Sequence, residues 1–269
     1  MHTRDLFKLG ERTVIITGGV GALGLELTRG ILESGGDVIS IDCVDQPPTL
    51  PWGNLQSLAE TCSSKLWYHQ CDITNAEATR LVFSNAVAQT RFPLRGLIAC
   101  AGICTVGPSA NFPISEWKRI VDVNLLGVFI SAQAAANIIS QQDLDLEASM
   151  VFIASMSGYV VNKGIDCAAY NCSKAAVHQL TRSLAAEWGS ANGLPHIRVN
   201  SISPGYIRTR MTETLLEDPI LGSAMSGGSM LGRVSNPDEY RGPAVFLLSD
   251  ASSFVTGADL LVDGGYTGW

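Results

Sequence analysis

Charge is scarce in this chain. Only 16% of its 269 residues are Asp, Glu, Lys or Arg, and the formal net charge is -7. No basic block supplies phosphate contacts, which argues against a nucleic-acid partner. With 46% hydrophobic residues, so low a charge also excludes a disordered chain. No uninterrupted apolar run reaches the roughly 18 residues that a membrane-spanning helix needs. The N-terminal "MHTRDLFKLGERT" lacks the apolar segment of a secretory signal. A cytoplasmic protein with no membrane partner is the expectation. The seven cysteines, at 43, 62, 71, 100, 104, 167 and 172, form no C-x-x-C pair. Neither short gap, Cys100 to Cys104 or Cys167 to Cys172, has a matching His/Cys pair elsewhere. No metal site is therefore expected, and the thiols read as free, in a reducing compartment.

Short β-rich runs alternate with helical stretches almost from end to end. "TVIIT", "DVISID", "LWYHQC", "GLIACA", "SMVFIAS", "IRVNSIS" and "ADLLVDG" read as strands. Helical spacing covers 22–34, 54–62, 75–89, 114–140, 168–190 and 237–248. This alternation predicts one α/β domain over 1–269, a doubly wound, Rossmann-type, seven-stranded parallel sheet with helices on both faces. Several strands are apolar without alternation, as in sheets covered on both sides. Pro47, Pro48 and Pro51 mark a loop after the second strand. The long run at about 205–233 reads as a mobile substrate flap.

The first predicted strand leads into "TGGVGALG" (17–24). Its glycines satisfy two patterns. Gly19, Gly21 and Gly24 fit G-x-G-x-x-G. Thr17 and Gly18 begin T-G-x-x-x-G-x-G, with Ala22 in place of the middle glycine. Either way, a strand, a tight turn and a helix start make a pyrophosphate cradle. Asp42 ends the second strand. A carboxylate there can accept both ribose hydroxyls of adenosine and would repel a 2′-phosphate, favouring NAD over NADP.

Tyr170 and Lys174 lie four residues apart in a predicted helix and share a face. Ser155 ends a predicted strand upstream, and Asn124 stands in the helical stretch before it. With these residues in view, the chain resembles the short-chain dehydrogenase/reductase family over roughly residues 10–265. The resemblance is carried by "TGGVGALG", "CDIT" (71–74), "ACAG" (99–102), "VNLLG", "SMSG", "YNCSK", "SPGYIRT" (203–209) and "VDGG" (262–265). Ala22 and Cys100 depart from the family pattern.

The resemblance implies an oxidoreductase that moves a hydride between a nicotinamide cofactor and a secondary alcohol or ketone. Tyr170 would be the general acid or base, its phenol lowered by the Lys174 ammonium and by oxidised nicotinamide. Lys174 would also hold the nicotinamide ribose. Ser155 would stabilise charge on the substrate oxygen, and Asn124 would hold a relay water. Thirteen residues before Tyr170 is Ser157, whereas Ser155 keeps the S-x-x-G context; Ser155 is preferred as catalytic and Ser157 as substrate-facing. The cofactor residues would be Gly18, Gly21, Leu23, Gly24, Asp42, Asp72, Ile73, Ala101, Gly102, Tyr170, Lys174, Pro204, Gly205, Ile207 and Thr209.

Substrate contacts are expected from Ser157, Asp166 and Tyr206, with Asn162 and Val106 nearby. Apolar residues at 211, 215, 216, 225, 230 and 231 are either core or substrate-facing. The "SMSG…N…AAYN-x-SKAAV" stretch is similar to the polyol dehydrogenase and ketose reductase branch. Cyclic ketones, hydroxy-steroids and polyketide-derived ketones stay open as substrates. An isomerase or cyclase on the same fold and a non-catalytic scaffold are the alternative readings. His178 and His196 fall outside the motifs, and Cys100 and Cys104 read as packing residues. Ala-rich helices near 114–140 and 168–190 suit a homodimer or homotetramer.

Overall fold

The computed structural model describes residues 2–142, 147–189 and 196–269. Seven strands form: β1 (Thr13–Thr17), β2 (Asp37–Asp42), β3 (Leu66–Gln70), β4 (Leu94–Ala99), β5 (Ala148–Ile153), β6 (Ile197–Pro204) and β7 (Asp259–Val262). All pair in parallel, in the order β3-β2-β1-β4-β5-β6-β7. Every residue of β1, β5 and β6 is buried, which is why β1 and β5 show no polar alternation in sequence.

The pleat divides each strand between two cores. Val14 and Ile16 of β1 pack in one cluster with Leu27 and Ile31 of α1 (Ala22–Glu33), Leu55 of α2 (Thr49–Thr61) and Leu247 of α9 (Arg241–Leu248). Ile15 joins the opposite cluster with Phe83 of α3 (Ala76–Val87), Val128 of α5 (Gly127–Gln141) and Val177 of α6 (Ala168–Trp188). Fully burying one such side chain is worth roughly 1.5–3 kcal/mol, so both helix layers are held by the same strands.

The structure redraws several predicted boundaries. Helix α2 begins at Thr49 and takes Pro51 into its first turn, where a missing N–H costs nothing because that donor has no intrahelical partner. The stretch 114–140 is interrupted: α4 (Ile114–Val121) and α5 flank a π-turn at Asp122–Leu126. That helical run, Ile114–Gln141, is long and apolar enough to cross a membrane by length and composition, yet 56% of its apolar window is buried in the protein. The expected flap is not structureless. It carries α7 (Glu213–Glu217) and α8 (Pro219–Gly227). Asp218 caps α8 by accepting from the Ile220 and Leu221 amides, with Pro219 in the first turn, a start signal legible in sequence. Residues 237–240 form a 3₁₀ turn before α9.

Because the sheet runs outward from β1 in one direction and from β4 in the other, the loops after these two strands diverge. A crevice opens at the carboxyl ends of the strands there, the usual ligand position in open parallel sheets.

Candidate active site

A cavity of about 970 Å³ occupies that crevice. The turn after β1 forms its floor. Gly18 has φ +66°, and a Cβ there would lie 2.7 Å from the Ala101 backbone, at the start of the loop after β4. A Cβ on Gly24 would lie 2.2 Å from the Gly18 carbonyl oxygen. Both obstacles are backbone and cannot rotate away. Gly21 is different: it caps α1 with φ -67°, and its Cβ would make only an ordinary 3.4 Å contact. Gly24 is common to both registers, and a Cβ on Gly19 would meet the Ser40 hydroxyl at 2.2 Å, a side chain that can turn. The contrast between Gly18, which requires glycine, and Gly21, which does not, favours the T-G-x-x-x-G-x-G register. Ala22 opens α1 and lines the cavity, beside first-turn amides that have no intrahelical acceptor.

Asp42 stands at the end of β2. Its carboxylate accepts from the Val20 amide at 3.3 Å and the Cys43 amide at 2.8 Å, which fixes it beside the glycine turn. Asp72 accepts from both the Thr74 amide and hydroxyl. The cradle, the free amides and the placed carboxylate fit the adenosine diphosphate half of a nicotinamide dinucleotide.

At the other end, β5 delivers Ser155 two residues past Ile153. Ser155 caps a 3₁₀ turn at Met156–Gly158, its Oγ accepting from the Ser157 amide at 3.1 Å. Helix α6 supplies Tyr170 and Lys174 from one face. Lys174 is buried and donates from Nζ to the Ile153 carbonyl at 2.7 Å. Its ammonium lies 5.7 Å from the centre of the Tyr170 ring. Burial holds Lys174 down to about 8, partly countered by the Cys100 and Cys104 thiols. Burial pushes the Tyr170 phenol up to about 12, and a hydrogen bond with Ser155 offsets part of that rise. Desolvation of the phenolate is the largest influence on Tyr170 within the protein itself.

Asn124 sits in the π-turn, fully buried and behind the cavity wall. Its Oδ1 accepts from the Ile103 amide at 2.9 Å, and its Nδ2 donates to the Ile103 carbonyl and to Ser173 Oγ. The side chain thereby clamps the loop after β4 to α6. Single π-turns recur at functional sites.

The other residues assigned from sequence line the cavity, including Leu23, Ile73, Gly102, Ser157, Pro204, Gly205, Tyr206, Ile207 and Thr209. Asp166 is the exception. It is exposed and not part of the lining, and only its backbone carbonyl is engaged, by the Gly107 amide. The turn at Gly164 (φ +80°) sends Ile165 and Cys167 inward, and the intervening residue points out. Of the flap residues, Met211 and Leu215 line the cavity, Met225 is buried, and Met230 and Leu231 are exposed.

Sequence reasoning missed Ser115, Lys118 and Arg119 of α4 and Asp122 at the start of the π-turn, which line the rim. No motif marks them, but their helical spacing puts them on one face. His178 is buried under the 3₁₀ turn, its ring stacked on Tyr159 at 4.1 Å and its Nε2 within 2.7 Å of Ser203 Oγ. Burial lowers its pKa. Among the described residues, no three His, Cys, Asp or Glu side chains form a group that could hold a metal ion.

A doubly wound sheet whose switch-point cavity joins a glycine turn to a Ser, Tyr and Lys cluster defines a nicotinamide-dependent oxidoreductase. A family model described as "Enoyl-(Acyl carrier protein) reductase" matches residues 20–267. The chain belongs to the short-chain dehydrogenase/reductase family. It is similar to "Short chain dehydrogenases/reductase notP'" of Aspergillus versicolor, at 49% identity over 100% of this chain and 91% of the relative. It is 35% identical to the NADH-dependent L-xylulose reductase of Ambrosiozyma monospora, over 98% and 97% of the two chains. The crystal structure of NADPH-dependent 3-quinuclidinone reductase from Rhodotorula rubra superposes with a TM-score of 0.88 at 32% identity, covering 98% of this chain and 94% of that one. The protein is an oxidoreductase that transfers a hydride between a nicotinamide cofactor and a secondary alcohol or ketone, similar to the polyol-acting branch.

Proposed function

We propose that this chain is an NAD-dependent ketone reductase/secondary alcohol dehydrogenase in which Ser155, Tyr170 and Lys174 carry the proton chemistry. The observation that carries this reading is that these three side chains share one cavity with the Gly18–Gly24 turn and Asp42. The turn and the first amides of α1 would hold the pyrophosphate, Asp42 the adenosine ribose, Asp72 and Ile73 the adenine, and Lys174 the nicotinamide ribose. The bound nicotinamide supplies or takes the hydride.

Tyr170 donates its phenolic proton to the carbonyl oxygen during reduction and takes it back during oxidation. Ser155 hydrogen-bonds the same oxygen as charge develops on it. Lys174 places a cation next to the forming phenolate, and Asn124 holds α6 against the loop after β4 so that the distances persist. Tyr170→Phe should lower kcat by about 10²–10⁴ while leaving NADH binding intact. Full activity in this variant, followed by nicotinamide absorbance, would refute the assignment.

The preference for NAD is supported by Asp42. Two unit charges about 4 Å apart repel by about 4 kcal/mol at an effective dielectric near 20, and no Lys or Arg occupies the glycine turn or positions 43–45. Relatives of both kinds exist, NADH-dependent and NADPH-dependent, so this residue is the basis of the choice. A homo-oligomer, dimer or tetramer, is supported by the part of the apolar Ile114–Gln141 run left on the surface. The seven free cysteines fit a cytoplasmic setting.

A further inference from the structure

The wall facing Tyr170 is made of carbon and sulfur. Ile165, Cys167 and Met225 are buried in one apolar cluster, and Cys104, Tyr170, Tyr206 and Leu215 pack against it. Ile165, Cys167, Cys104, Tyr206 and Leu215 also line the cavity, with Val106. Few polar atoms interrupt this wall, and some engage one another. Asn162, buried at 4% exposure, donates from Nδ2 to the Tyr206 hydroxyl at 3.0 Å. The single Cys167 thiol proton lies within reach of Asn171 Oδ1 at 3.2 Å and of Asn162 Oδ1 at 3.5 Å, and can serve one of them. The Tyr266 ring meets Tyr206 edge-on at 5.3 Å. The remaining charged lining residues outside the cofactor half, Lys118, Arg119, Asp122 and Arg210, are exposed at the rim.

We infer that the substrate is a carbonyl compound with a bulky apolar skeleton, such as a fused-ring ketone, and not a polyhydroxylated ketose. This rests on the reading of Ser155 and Tyr170 given above, since they are the hydrogen-bonding groups that meet the reacting oxygen. A ketose carries a hydroxyl on every carbon beside its carbonyl. Against this wall most of those hydroxyls would lose water without gaining a partner, whereas a hydrocarbon ring gains contact.

The test compares kcat/KM with NADH for 2-tetralone and 2-decalone against L-xylulose and L-sorbose. The fused-ring ketones should exceed the ketoses at least tenfold. Ketoses equal or better would overturn the inference and leave the catalytic assignment standing. No turnover of any of the four with NADH or NADPH would overturn both. Placing amides in the wall with Ile165→Gln and Cys167→Gln together should move the ratio toward the ketoses at least tenfold. An unchanged ratio would show that this wall does not select the substrate. Cys167→Ser, the smaller change, should shift the ratio in the same direction should the double variant fail to fold, and no shift there overturns the inference equally.

Discussion

Adding one methyl group to Gly24 should damage cofactor binding far more than adding one to Gly21. In Gly24→Ala the new Cβ would start 2.2 Å from the Gly18 carbonyl oxygen and 2.8 Å from the Gly19 Cα. An ordinary carbon–oxygen contact needs about 3.3 Å, so the first turn of α1 must retreat by about 1 Å. Both partners are backbone, and no rotamer relieves the clash. Displacing binding groups by about 1 Å can cost about a hundredfold, or about 2.7 kcal/mol. In Gly21→Ala the nearest atom is 3.4 Å away and φ is -67°, so NADH affinity should change less than about tenfold, or about 1.4 kcal/mol. Ala22→Gly should stay inside the same limit. It removes a methyl beside the pyrophosphate site but also loosens the helix start, at up to about 1 kcal/mol of stability. Titration calorimetry with NADH on the three variants measures all of this. A loss in Gly21→Ala as large as that in Gly24→Ala would refute the assigned register. Tightening beyond tenfold in Ala22→Gly would show that the native methyl blocks the site.

Ser155→Ala should lower kcat by about 10²–10³, while Ser157→Ala, whose amide and not its hydroxyl is tied to Ser155, should cost less than tenfold; the reverse order would exchange their roles. Ketone reduction needs Tyr170 protonated and Lys174 charged. With Tyr170 up at about 12 and Lys174 down at about 8, the reductive rate should be level below pH 8 and fall above it as Lys174 loses its proton. A pH profile of kcat/KM that rises through this range would contradict the cause assigned to each shift. Far from the site, Asp37 is fully buried and accepts from Arg91 Nε and Nη2 and from the Lys65 amide. Arg91→Ala strands that carboxylate and should cost about 3 kcal/mol in a urea melt, with NADH affinity unchanged; a loss below about 0.5 kcal/mol would show the pair to be inert.

Local patterns carried the fold because each acts over a few residues. Apolar runs of five or six gave the strands, and glycine followed by helical spacing gave the β1–α1 turn. The Asp218-Pro219 start of α8 was equally local, yet it lay in a stretch read as loose. The π-turn around Asn124 had no such signature. It arises where that side chain must reach Ile103 and Ser173 at once, two residues that the chain order keeps apart. Asp166 failed for a related reason, since the alternation of Ile165 and Cys167 inward around it is set by the turn at Gly164 and by the apolar cluster beyond.

By itself, then, the sequence determined which residues could do the chemistry: a phenol and an amine one helical turn apart, a hydroxyl at a strand end, glycines and a carboxylate at the ends of β1 and β2. Tertiary structure decided what those groups experience. Burial, not the neighbouring charge, governs Tyr170 and Lys174, and desolvation depends on every element packed around a group. It also decided the character of the substrate wall. Asn162, Tyr206 and Cys167 look polar one by one, yet the fold turns Asn162 onto the Tyr206 hydroxyl and sets Cys167 in an apolar cluster.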